Sequence, residues 1–84
     1  MSNSMFTIYS KKGCSYCDQI KELMILTNQK FVVYTLGEQF SIQQFEDEFG
    51  TTTFPQVVHD VNGDRVRVGG TAETAQYFKE QQLA

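Results

Sequence analysis

The stretch Phe6-Thr7-Ile8-Tyr9-Ser10-Lys11-Lys12-Gly13-Cys14-Ser15-Tyr16-Cys17 decides how this chain folds. Phe6-Thr7-Ile8-Tyr9 alternates apolar and polar-tolerant residues and predicts a first β-strand. Lys11-Lys12-Gly13 then makes a turn into Cys14 and Cys17, the two cysteines of the chain. Over 15–28, Tyr16, Ile20, Leu23, Met24 and Thr27 recur at helical spacing, which predicts a helix starting immediately after Cys14. Unpaired N–H groups and the positive end of the helix dipole there favour a thiolate over a thiol. A thiolate is the nucleophile of thiol–disulfide exchange, so the placement points to redox chemistry. Two other readings stand beside it. A zinc or iron–sulfur site usually needs four ligands, and His59 is the one histidine available to join the cysteines. A structural disulfide would close too short a loop to restrict the unfolded chain much.

Downstream, Phe31-Val32-Val33-Tyr34 reads as a second strand. Ser41 suits the N-cap of a short helix with Ile42, Phe45 and Phe49 on its buried face and Gly50 at its end. Residues 56–61 and 64–68 flank Asn62-Gly63, which predicts a hairpin with a type I′ turn. Gly69-Gly70 breaks the last strand, and Thr71 is expected to cap a third helix that turns Ala75 and Phe78 inward. The order β-α-β-α-β-β-α makes the first two strands parallel through a right-handed crossover. The expected product is an α/β fold, a four-stranded mixed sheet with three flanking helices.

Length and composition bound this further. The chain has 84 residues, enough for a single domain over 1–84, with 40% apolar content for a modest core. Met1-Ser2-Asn3-Ser4 is expected to be disordered or a remnant ahead of a native start at Met5. The N-terminus lacks the pattern of a signal peptide, and no apolar run is long enough to cross a membrane. A small secreted domain normally carries more disulfides, so the cytoplasm is the expected compartment. The net charge of −3 argues against nucleic acid as a partner.

Thr53-Phe54-Pro55 carries the one proline. From the residues alone it is an ordinary trans proline opening a strand, since about one X–Pro bond in twenty is cis. The whole pattern, however, resembles a glutaredoxin. A strand leads to Lys-Lys-Gly-Cys14-Ser-Tyr-Cys17 and a helix; then come Thr53-Phe54-Pro55-Gln56, an Asn-Gly hairpin, Gly69-Gly70 and a last helix. The similarity runs from Phe6 to Phe78 and looks most like the small dithiol members of bacteria and phages. A thioredoxin would have Trp before the first cysteine and Gly-Pro between the two.

The resemblance implies a thioredoxin-like fold and a glutathione-dependent thiol–disulfide oxidoreductase. Cys14 would be the nucleophile and Cys17 the resolving thiol of a redox disulfide. Glutathione would be the co-substrate, with no resident metal, and protein disulfides the targets, ribonucleotide reductase among the candidates. The protein would act as a monomer. Lys11 matches the basic position near the glycyl carboxylate and would help hold Cys14 as thiolate. Tyr16 would flank the site or else pack on its helix, and Gln43 aligns loosely with a polar position in the second helix. Thr53, Phe54 and Pro55 would form the edge that pairs with the cysteinyl part of glutathione, with Pro55 cis. Gly70, Thr71 and Ala72 would receive the γ-glutamyl carboxylate at the start of the third helix.

Two departures stand out. Ser15 replaces the common proline, and relatives without that proline include some that bridge a [2Fe-2S] cluster between protomers through the first cysteine. Ala72-Glu73 stands where many relatives have acidic residues that grip the glutathione amino group; Ala72 lacks that ability, which leaves Glu73 as the candidate. His59 is read as an ordinary sheet histidine, Met24 as core filling, and Glu46-Asp47-Glu48 as a solvated helix face that could also favour basic partners.

Overall fold

The computed structural model describes residues 4–83. The elements run β1 (Ser4–Ser10), α1 (Ser15–Leu26), β2 (Phe31–Thr35), α2 (Ile42–Phe49), β3 (Gln56–Val61), β4 (Asp64–Gly69) and α3 (Thr71–Glu80). The sheet order is β2-β1-β3-β4. β1 and β2 are parallel, with Phe6 opposite Phe31, while β1–β3 and β3–β4 are antiparallel. The expected order and pairing are therefore present.

Strand alternation divides the core into two layers. Phe6, Ile8 and Val57 face α1 and α3, where they meet Ile20, Met24 and Phe78. Tyr9 and Val58 face the other way and meet Phe40 and Phe45 of the α2 layer. Central β1 is thus covered on both faces, and Phe6 through Ser10 are all buried. Asn62 and Gly63 both have positive φ, at 51° and 89°, as a type I′ turn requires.

α2 is held by its caps and by one main anchor. The Ser41 hydroxyl accepts from the Gln44 N–H at 3.2 Å, and the Gln44 side chain accepts from the Ser41 N–H at 2.8 Å. Gly50 closes the helix in the left-handed conformation, φ 68°. Phe45 is buried, but Ile42 is 41% exposed, against the expectation that it shares the inner face. Its spacing from Phe45 and Phe49 puts it on their face, but it stands in the first turn, and the core does not cover it there. Arg65 donates to the Glu48 carboxylate, and Arg67 donates to the Glu48 carbonyl. Glu46 and Asp47 are solvated as expected, while Glu48 instead ties α2 to β4.

Three other boundaries differ from the expectation. α1 ends at Leu26, and Thr27 turns its hydroxyl back onto the Leu23 carbonyl at 2.7 Å. Ser4, expected among disordered residues, is the first residue of β1, pairing with Val61 and bonding His59; residues 1–3 lie outside the described part. In α3 the N-cap is Gly70, with Thr71 the first helical residue. Thr74, four residues before Phe78 and on its face, fills the core in place of Ala75, which is exposed.

Candidate active site

The strand directions bring the site together. Ser10 ends β1, Gln56 begins β3 opposite Tyr9, and Gly69 ends β4 opposite Val57. The β1–α1 turn, the proline loop and the start of α3 therefore leave the sheet at the same end. Crevices at the carboxyl ends of parallel strands are where such sheets hold their ligands.

Cys14 is the N-cap of α1, with extended backbone, φ −104° and ψ 104°. Its Sγ accepts a hydrogen bond from the Cys17 N–H at 3.1 Å. A sulfur held by a helix-start N–H is stabilised as thiolate when the bridge opens. Cys14 and Cys17 are joined as a disulfide, their Cα atoms 5.2 Å apart. The two sulfurs are not equivalent: Cys14 is half-buried, whereas Cys17 is fully buried within α1. An incoming thiolate or disulfide can reach Cys14, and Cys17 is placed to answer from behind it.

The Phe54–Pro55 peptide is cis, as the family resemblance implied and the residues alone did not. The Phe54 ring stacks on Phe45 at 4.3 Å between centroids, 11° from parallel, and faces Phe40 at 6.3 Å. Lys11 Nζ lies 5.4 Å from the Phe54 ring centroid, which joins the cysteine turn to the proline loop. Thr53 is fixed by its neighbours: its hydroxyl shares a hydrogen bond with Thr51 at 3.1 Å, and its carbonyl accepts from the Gln56 side chain at 3.2 Å. A Cβ on Gly70 would lie 3.6 Å from the Pro55 carbonyl oxygen, so the start of α3 sits beside the proline loop. Glu73 accepts from the Gly70 N–H at 2.9 Å, the returning half of a capping box. Gly69 has φ 117°, and a Cβ there would meet the Glu73 Cβ at 2.9 Å, so the approach requires glycine.

Lys11, Cys14, Cys17, Phe54, Pro55 and Gly70 thus converge. Thr71 and Ala72 form the first turn of α3, whose N–H groups have no partner within the helix. Tyr16 stands on the first turn of α1 and is 59% exposed, which removes the reading in which it packs on its helix. Gln43 is not drawn into the cluster by any contact; its amide donates to Asp47 at 2.9 Å along the exposed side of α2. His59 lies opposite Phe6, toward the other end of β1 from the cysteines. It stacks on Phe6 at 3.9 Å and bonds Ser4 and Tyr77, a structural role as expected.

Two supports of the site are not evident in the sequence. Phe45 reads as helix core, yet it also carries the Phe54 ring. The Glu73 cap is signalled only by its spacing of three from Gly70.

A glutaredoxin family profile matches residues 6–66 of this chain. The chain belongs to the glutaredoxin family. Mitochondrial glutaredoxin-2 of rat is 32% identical over 87 residues, a match covering 99% of this chain and 53% of the rat protein. The bovine glutaredoxin-2 match, 30% identical, also covers 53% of its protein. This glutaredoxin-family chain therefore spans about half the length of the curated relatives it matches. A wheat glutaredoxin structure superposes with a TM-score of 0.71 at 25% identity, covering 94% of this chain and 77% of the wheat chain. The thioredoxin-like fold expected of a glutaredoxin is present.

Proposed function

We propose that this chain is a glutathione-dependent thiol–disulfide oxidoreductase. The observation that carries the reading is the asymmetric pair: Cys14 reachable with its sulfur on a helix N-terminus, Cys17 buried one turn behind. Family membership and the Cys14–Cys17 disulfide support it. A buckwheat glutaredoxin of the same fold was solved as a glutaredoxin–glutathione complex, which supports glutathione as the partner.

On this reading the Cys14 thiolate attacks the glutathione sulfur of a mixed disulfide. The S–S bond breaks, the substrate leaves as thiolate and takes a proton from water, and Cys14 carries glutathione. A second glutathione thiolate then attacks that bond, which releases glutathione disulfide and restores Cys14. With a protein disulfide, Cys14 first forms a mixed disulfide with the protein. Cys17 gives up its proton and attacks Cys14 Sγ, which frees the second substrate thiol and closes Cys14–Cys17. Two glutathiones reopen the bridge. Couples of this kind sit near −200 to −230 mV, close to the glutathione pool.

Lys11, Phe54, Pro55, Gly70, Thr71 and Ala72 are assigned to glutathione in this account. The Phe54 backbone pairs with its cysteinyl unit, and the start of α3 takes a carboxylate. We assign the cytoplasm as the compartment, a monomer as the active form, and exposed protein disulfides as the targets, with ribonucleotide reductase a candidate named by resemblance alone.

Steady-state reduction of a glutathionylated peptide tests the assignment. Cys14→Ser abolishes turnover, while Cys17→Ser keeps deglutathionylation and loses protein disulfide reduction. Unchanged turnover in Cys14→Ser contradicts the nucleophile, and loss of both activities in Cys17→Ser contradicts the single-thiol route. Protein purified without oxygen is expected to be colourless. A brown dimer that bleaches as glutathione is removed would move the assignment to the cluster-bridging alternative.

A further inference from the structure

We infer that the Phe54 side chain is a positioning residue for Lys11, holding its ammonium beside the cysteine turn before any ligand arrives. The inference rests on the proposed role of Lys11 opposite a ligand carboxylate. It concerns the Phe54 ring rather than the Phe54 backbone.

The ring is fixed from behind. Phe45 is 1% exposed and touches Phe40, Phe49 and Tyr9 as well as Phe54. Phe54 lies nearly parallel on it, 11° off at 4.3 Å, so its inner face is closed by the α2 layer. Lys11 Nζ stands 5.4 Å from the Phe54 ring centroid, within the range at which an aromatic quadrupole attracts a cation. Lys11 otherwise sits in an exposed turn, where a long ammonium side chain samples many rotamers. The ring offers it one favoured resting place, on the residue whose backbone flanks the proposed cysteinyl subsite. A ligand carboxylate then meets a cation already in place and spends less on ordering it. An aliphatic residue at 54 could pack on Phe45 but has no quadrupole for Lys11.

A double-mutant cycle on the KM for a glutathionylated peptide separates this role from packing. The variants are Phe54→Leu, Lys11→Ala and both together, with thermal melts establishing that each is folded; Phe54→Met replaces Phe54→Leu should the latter not fold. Phe54→Leu is expected to raise KM roughly two- to fivefold, the size of an exposed cation–π pair. The double variant is expected to show the same KM as Lys11→Ala alone, and Phe54→Tyr, which keeps a ring, a KM below that of Phe54→Leu. The inference is overturned if the two single effects multiply, if Phe54→Leu leaves KM unchanged, or if Phe54→Tyr is as harmful as Phe54→Leu. If Lys11→Ala leaves KM unchanged while wild type turns over normally, Lys11 does not meet the ligand and the inference falls with that assignment. Absent turnover in wild type would instead contradict the proposed function itself.

Discussion

Cys14 and Cys17 share one chemistry and differ in burial, and the roles proposed for them rest on that difference. Two other buried residues yield tests of their own. His59 is buried against Phe6, with Ser4 on Nε2 and Tyr77 on Nδ1 at 2.7 Å. Burial lowers its pKa from the ordinary 6.5, although the Asp60 carboxylate pulls the other way, and burial raises that of Tyr77. Below pH 6.5 the unfolded chain takes up a proton that the folded one refuses. The His59 contribution to stability is therefore complete above about pH 7 and falls with pH from about 6.5 down to the folded value. Denaturant unfolding from pH 7.5 to 5.5 should show this slope, and His59→Gln should flatten it. Thr74 is fully buried, and among the described residues its hydroxyl has no hydrogen-bond partner. A stranded hydroxyl costs on the order of 1 kcal/mol or more, so Thr74→Val should raise stability by about 1 kcal/mol in the same assay.

At the scale of the element, the helices differ in how much of each was legible. The start of α1 was fully so, because a strand, a Gly turn and the 15–28 spacing leave one place for the N-terminus. α2 was legible in its caps, since Ser41, Gln44 and Gly50 act locally. Ile42 was not, because its exposure depends on how the helix sits on the sheet. Ser41→Ala should destabilise the protein by about 1 kcal/mol through loss of the cap. Phe45→Ala should cost about 3–5 kcal/mol, the usual loss for a buried ring, and should also release Phe54. Both values come from urea titrations. α3 misled by one position. Thr71 has the side chain of an N-cap, but Glu73 reaches back to the Gly70 N–H, and Gly70 takes the cap. Capping by a residue three positions inside the helix is hard to read from one sequence when a threonine stands at the apparent start.

For the molecule as a whole, pattern alone carried the sheet: one parallel crossover and one Asn-Gly hairpin leave little choice of strand order. The convergence at the site was less visible. Lys11 and Phe54 are far apart in sequence and meet because β1 and β3 present their ends side by side. The cis state of Pro55 has no signature in the residues and followed from the resemblance alone. Gln43 donates its amide to Asp47 along α2, and among the described residues no contact ties it to the cysteine turn or the proline loop. Arg65, which donates to Glu48 and to the Tyr9 hydroxyl at 3.3 Å, fastens β4 across the α2 layer and thereby helps hold the aromatic stack behind Phe54. The proposed activity rests on one transfer, from a glutathione mixed disulfide to Cys14. Mass spectrometry of reduced Cys17→Ser protein after exposure to a glutathionylated peptide measures it directly. One glutathione attached to Cys14 and the peptide released as a free thiol are expected; unmodified protein, or the peptide itself attached to Cys14, would contradict the proposed transfer.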